Sequence, residues 1–260
     1  MDFTLKKFTE IITSLKKAGY TLHTFSGFIE NPPETKTVIL RHDIDKLPAN
    51  ALKMAQLEHD MGIKATYYFR VVSYAWDEEV IRQIVSLGHE IGYHYEDLNI
   101  TKGSHEKAIQ HFERQLARLR AFYPVKTICM HGSPMSKQDN RELWEQYDYR
   151  DHGIIAEPYF DVDYSEMFYI TDTGRAWNKQ SASIRDTVDS GFDIKIKSTS
   201  HLLHLIQTNQ LPDKVFFNIH PQRWFSPGFA WAKELVWQNV KNVVKNLLTE
   251  VARRNILNTT

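Results

Sequence analysis

The sequence predicts a parallel α/β domain spanning residues 1–260, and three observations predict it. Short apolar runs of strand character alternate with runs of helical period; the early strand starts fall near residues 37, 64 and 90, a repeat of about 26 residues; and no linker interrupts the alternation. The 260 residues are 42% hydrophobic and 25% charged, with no apolar run of about 18 residues, which argues against a membrane span and against disorder. A chain of this size fits an open doubly wound sheet or a closed barrel.

The elements follow in order. Leu5, Phe8, Ile12 and Leu15 recur at helical spacing, with Asp2 or Thr4 as N-cap and Gly19 ending the run. Pro32-Pro33 breaks the pattern ahead of Thr37 to Arg41, a short apolar run that reads as a buried strand followed at once by a loop. Pro48 suits the first turn of a helix reaching Met61, and Gly62 stops it before the strand Ala65 to Phe69. Asp77 caps a helix carrying Val80, Ile81, Ile84 and Leu87; Gly88 ends it, and His89 to His94 is extended. Gly103 or Ser104 opens a helix to about Phe122, and Lys126 to Met130 is the next strand. Residues 148 to 200 lack a period and predict long loops with a short strand at Phe168 to Thr171. A helix around Leu202 to Ile206, the strand Lys214 to Ile219 and a final helix with Val236, Val240, Val243, Leu247 and Val251 on one stripe complete the chain. Core packing accounts for Trp231 and Trp237 in that last helix.

Composition narrows the function. The 32 basic and 32 acidic residues cancel, so no global field draws the chain to nucleic acid or anionic lipid, and no basic stripe or glycine-rich phosphate loop follows a strand. Cys129 is the single cysteine, which excludes an intrachain disulfide and a cysteine-based zinc site. The first 18 residues are studded with lysines and acids, unlike a secretory signal, so the expected location is the cytoplasm.

In parallel α/β proteins the reacting groups sit at the C-terminal ends of strands. Arg41-His42-Asp43-Ile44-Asp45, His94-Tyr95-Glu96-Asp97, His131-Gly132 and His220-Pro221 each follow a strand, so four strand ends bring a His or Asp to one rim. Asp43 and Asp45 are two apart and share a face if the strand persists. Two carboxylates that close call for a cation or a proton between them. A divalent metal satisfies this, one Asp binding it with imidazoles from other strands and the other accepting a proton from water. The alternative is structural: Asp45 caps the helix at Pro48 and Asp43 pairs with Arg41.

The Asp pair after the first strand, Gly88-His89-Glu90-Ile91-Gly92-Tyr93-His94, and the late Phe217-Asn218-Ile219-His220 together resemble the polysaccharide deacetylase family, the homologues of chitooligosaccharide deacetylases. The specific match covers roughly residues 37 to 134 and 214 to 221. The Arg-His-Asp-Ile-Asp form of the first motif resembles a branch linked to surface-polysaccharide biosynthesis such as O-antigen. The resemblance implies a distorted (β/α) barrel of about seven parallel strands. It also implies metal-assisted hydrolysis of an acetamido or related C–N bond. Position by position, Asp43 resembles the general base, Asp45 the metal-binding Asp, His94 the first metal His, and His220 the acid that protonates the leaving amine. Two departures stand out. Ile44 separates aspartates that are adjacent in the family, and Leu98 occupies the place of the second metal His.

His131 is the best replacement ligand and Glu96 its rival. Two imidazoles and a carboxylate suit catalytic zinc, or nickel, cobalt or iron. With His131 as ligand, the arginine that orients the base in the family must come from elsewhere, and Arg41 or Arg175 could supply it. His89 is expected to point away from the rim; His42 is similar, or lies beneath a ligand. Arg41, Glu96, Asp163 in its aromatic stretch, and Arg175 with Trp177 are candidates for substrate binding, the last three against a solvated turn and an incidentally buried Trp. The expected partner is a carbohydrate: an amino sugar, a sugar nucleotide or a lipid-linked glycan. Two other functions compete. One is a metal-free glycoside hydrolase or lyase using Asp43 with Asp163 or Glu96; the other is a non-catalytic carbohydrate-binding member of the same fold.

Overall fold

The computed structural model describes residues 1–34, 36–132, 138–178, 188, 191–229 and 231–237. Among these residues, seven strands form one parallel sheet: β1 (Thr21–His23), β2 (Thr37–Ile44), β3 (Thr66–Phe69), β4 (Glu90–Tyr95), β5 (Ile128–Met130), β6 (Phe168–Thr171) and β7 (Lys214–Ile219). Their order is β5-β4-β3-β2-β7-β6, with β1 against the first half of β2 and β3 against its second half. The first strand runs to Ile44, beyond the predicted loop start, because Arg41 to Ile44 pair with Thr66 to Phe69.

Alternation divides the strands between two cores. Val38, Leu40, Tyr67, Ile91, Tyr93, Ile128, Phe168 and Phe217 face outward and pack with the helices. Ile39, Tyr68, Cys129, Tyr169 and Phe216 face inward and, with Phe25, Ala156, Tyr164 and Met167, fill a second cluster. Cys129 and Tyr169 come from strands at opposite ends of the sheet order, yet they share this inner cluster. The sheet is therefore curled on itself as a distorted (β/α) barrel. Residues 154–156 run beside β5, with Ile128 N donating to Ala156 O at 3.2 Å. Among the described residues β5 and β6 are not paired, so the barrel is incompletely closed. Gly92 makes the inner packing possible: a Cβ there would lie 2.2 Å from the Tyr68 ring.

The helices close the outer face. α1 (Leu5–Lys17) is capped by Thr4, whose hydroxyl accepts from Lys7 N, while α2 (Phe25–Glu30) follows β1 and seats Phe25 in the barrel floor. α3 (Pro48–Asp60) starts on Pro48, and α4 (Glu78–Ser86) is capped by Asp77 and followed by Gly88 at φ +87°. A single turn, α5 (Asp97–Ile100), precedes α6 (His105–Arg120), and α7 (Pro158–Asp161) and α8 (Thr199–Gln207) come later in the chain. No helix among the described residues is long and apolar enough to cross a membrane. Residues 231–237 are helical, with Val236 and Trp237 exposed, which corrects the expected burial of Trp237. The positions Val240, Val243, Leu247 and Val251 lie outside the described residues.

Candidate active site

β2 carries Arg41 and Asp43 on its inward face and releases Asp45 just past its end. His94 lies on β4, His131 one residue past β5, Asp172 one past β6, and Asn218 with His220 on and after β7. All except Asp45 and His131 are buried below one-tenth exposure, so every polar atom here must be accounted for.

Asp45 Oδ2 accepts a hydrogen bond from Gln222 Nε2 at 2.8 Å, while Asp45 Oδ1 is buried without a hydrogen-bond partner. That free oxygen faces His94 Nε2 at 3.7 Å and His131 Nε2 at 3.6 Å. His94 Nδ1 lies 2.9 Å from the Cys129 carbonyl, which can only accept, so the ring proton sits on Nδ1 and the Nε2 lone pair points to the carboxylate. His131 repeats the device, its Nδ1 donating to Glu96 Oε2 at 3.0 Å. Burial pulls His94 down to about 4, which leaves the ring neutral and able to ligate at pH 7. Burial alone would raise Asp45, but His131, His220 and His94 outweigh it and its carboxyl titrates at about 2.

An orphaned carboxylate oxygen facing two oriented imidazole nitrogens is the donor set of a catalytic zinc-type site. Bonds of about 2.0–2.1 Å place tetrahedral donors roughly 3.3 Å apart. The observed separations are a few tenths of an ångström wider, and among the described residues no three such side chains are already drawn together as a metal cage. Asp45, His94 and His131 fit a metal by chemistry and by lone-pair direction, and would close slightly to hold one.

Asp43 stands beside this group. Arg41 grips it with two bonds, Nε to Oδ1 at 2.8 Å and Nη2 to Oδ2 at 2.7 Å, and Asn218 Nδ2 donates to Oδ2 at 3.2 Å. Burial opposes the charge, but Arg41 overrides it and holds the Asp43 carboxyl far below the usual carboxylate range. The Arg41 pair noted as a structural alternative is present, and Asp43 Oδ2 still lies 3.7 Å from His94 Nε2 and 3.9 Å from His220 Nε2.

His220 is oriented from behind. Its Nδ1 donates to Asp172 Oδ1 at 2.7 Å, and the same carboxylate accepts from Trp224 Nε1 at 2.6 Å and Arg223 Nη1 at 2.8 Å. Burial and Arg223 pull the imidazole down, yet Asp172 and Asp45 prevail and its pKa is raised. His220 Nε2 lies 3.9 Å from Asp43 Oδ2 and 4.0 Å from Asp45 Oδ2.

Several expected roles need correction. Arg41 is buried against Asp43 and is a clamp on the carboxylate, not a sugar contact. Glu96 lies against His131 but both its oxygens are held by Arg70, so it is neither a free ligand nor a sugar contact. Asp163 is away from the rim and caps Ser165. Arg175 stacks on Trp231 and donates to its carbonyl at 3.1 Å, so the arginine beside Asp43 is Arg41. Trp177 packs against Phe3, Phe217 and Trp224 in the outer core. His42 and His89 face the helix layer, where His42 Nε2 meets Glu58 Oε1 at 2.6 Å and His89 Nε2 meets the Ala55 carbonyl at 3.0 Å. Asp172, Asn218, Gln222 and Arg70 were not assigned these parts from sequence; position just after or before a strand end was the available signal.

No family model matches the chain, and no curated protein matches it. Among solved structures, it is similar to a CE4 family pseudoenzyme from Bacillus anthracis at 14% identity and TM-score 0.46, covering 82% of this chain and 62% of that one. The chain thus spans less than two thirds of that relative's length. It is also similar to a family 4 carbohydrate esterase from Bacillus anthracis (12% identity, TM-score 0.42, 93% and 86% of the two chains). A third is the peptidoglycan deacetylase PdaC from Bacillus subtilis (16% identity, TM-score 0.39, 84% and 98%). The structures to which the chain is similar thus include both deacetylases and a pseudoenzyme, and the chemistry of the site is read from its own residues.

Proposed function

We propose that the protein is a metal-dependent hydrolase that removes an acetyl group, or cleaves another non-peptide C–N bond, on an amino-sugar substrate of surface-polysaccharide synthesis. The observation that carries this reading is the buried, unpartnered Asp45 Oδ1 facing the oriented Nε2 atoms of His94 and His131, with Asp43 and the Asp172–His220 pair alongside. The motif resemblance supplies the amide and the sugar.

Asp45, His94 and His131 would hold a divalent metal, zinc being the ion this donor set suits best, and when bound it would supply Lewis acidity toward a carbonyl and toward water. Asp43 accepts the proton of the attacking water, and Arg41 with Asn218 fixes its oxygens for that task. His220, whose protonated form Asp172 favours, gives its Nε2 proton to the departing amine.

The test is hydrolysis of N-acetylglucosamine oligomers and of an activated acetate ester, before and after chelation and zinc reloading. Activity lost on chelation and restored by zinc is expected; cleavage indifferent to chelator would overturn the reading. For the metal-free glycosidase alternative, neither named partner of Asp43 is available, since Asp163 is remote and Glu96 is engaged by Arg70.

A further inference from the structure

The carboxylate nearest to His131 is Glu96, and what holds it is an arginine that belongs to no motif. Arg70, immediately after β3, grips Glu96 through two bonds, Nε to Oε1 at 2.8 Å and Nη2 to Oε2 at 2.7 Å. Its third nitrogen, Nη1, lies 3.4 Å from the Asp45 carbonyl. Arg70 and Glu96 are 8% and 5% exposed, and the Tyr74 ring covers the guanidinium at 5.2 Å. One buried ion pair therefore ties together the ends of four strands: Asp45 after β2, Arg70 after β3, Glu96 after β4 and His131 after β5.

The backbone of His131 is fixed separately, its N–H donating to the Tyr95 carbonyl at 2.8 Å and its carbonyl accepting from Asn140 Nδ2 at 3.0 Å. What remains free is rotation of the ring, and Glu96 Oε2 on Nδ1 removes it, aiming Nε2 at Asp45. A carboxylate at this place would otherwise compete for a cation. With both oxygens satisfied by Arg70, moving Glu96 to a metal would strand a buried guanidinium, a heavily penalised step.

We infer that Arg70 and Glu96 are positioning residues that make His131, and not Glu96, the third metal donor. The inference rests on the metal reading above and deepens it. It accounts for how the chain functions with Leu98 where the family places a histidine: the imidazole comes from the neighbouring strand and is held there by the Arg70–Glu96 pair. Partners of this kind are typically worth about 10–100-fold in metal affinity.

The test is cobalt(II) titration of the full chain, read by visible absorption and competition with a chromogenic chelator, for wild type, Glu96→Gln, Arg70→Met, His131→Ala and His94→Ala, with thermal melting of each apoprotein. Glu96→Gln is near-isosteric and should bind one cobalt about 10–100-fold more weakly with an unchanged absorption envelope. Arg70→Met should bind cobalt with an altered envelope as the released Glu96 enters the donor set. His131→Ala should lose binding as His94→Ala does. Wild-type affinity in both Glu96→Gln and Arg70→Met would overturn the inference. So would cobalt retained by His131→Ala but lost by Glu96→Gln, which would make Glu96 the ligand. Absence of cobalt binding by wild type would instead remove the metal reading itself, a result visible before any variant is compared.

Discussion

The two ends of the barrel each bury carboxylate oxygens, and they treat them in opposite ways. At the floor, Glu90 is 3% exposed; its Oε1 accepts from Thr127 Oγ1 at 2.6 Å, and its Oε2 from Thr66 Oγ1 at 2.7 Å and Ser26 N at 3.0 Å. Each oxygen is satisfied by neutral donors on three neighbouring segments. At the rim, Asp45 has one oxygen bonded to Gln222 and the other facing His94 Nε2 and His131 Nε2 without a hydrogen bond. A buried acceptor left open costs stability, about 1–3 kcal/mol for an ordinary group and more for a charge. A fold that closes Glu90 completely has the means to close Asp45, and the open oxygen is the feature on which the proposed cation site rests.

This contrast can be broken by substitution. The largest effect is expected from Asp45→Ala and His94→Ala, each of which should abolish stoichiometric metal binding and with it turnover; elemental analysis after dialysis checks the first and amide hydrolysis the second. Next comes Asp43→Asn, which should keep the metal but lower kcat by about 10²–10⁴-fold, the usual weight of a general base. Metal lost from Asp43→Asn would mean that Asp43 is itself a ligand.

A smaller effect belongs to Asp172→Asn. Asp172 raises His220, which donates its proton only below its pKa, so removing that charge should shift the alkaline limb of the kcat/KM profile to lower pH. An unmoved limb would dissociate His220 from the acid role. The smallest effect on chemistry comes from the floor: Glu90→Gln should lower unfolding stability by about 1–3 kcal/mol in a denaturant titration while leaving kcat at 25 °C unchanged. A fall in kcat with native stability would contradict a purely structural floor.

Much of this arrangement is legible in the sequence, for physical reasons. Parallel strands between helices announce themselves as apolar runs closed by Gly or Pro, and residues just past their ends must share a rim. That suffices to group Asp43, Asp45, His94, His131 and His220. β1 and α2 escape because Thr21–His23 is too short to display alternation, although α2 carries Phe25 into the floor. The partners of the site escape because they are set by tertiary contact: Asp172 meets a histidine 48 positions later, and Glu96 is claimed by Arg70, 26 positions earlier. Trp177 and Arg175 mislead for the opposite reason. An aromatic beside an arginine in an irregular segment has the composition of a sugar site, and only packing reveals that Trp177 serves the outer core and Arg175 caps Trp231.

The most direct measurement is metal stoichiometry by elemental analysis of the untagged wild-type protein beside Asp45→Ala, His94→Ala and His131→Ala, each loaded with zinc and dialysed. The account predicts about one zinc per chain in wild type and none in the three variants. No zinc in wild type after loading, or zinc retained in the variants, would contradict it.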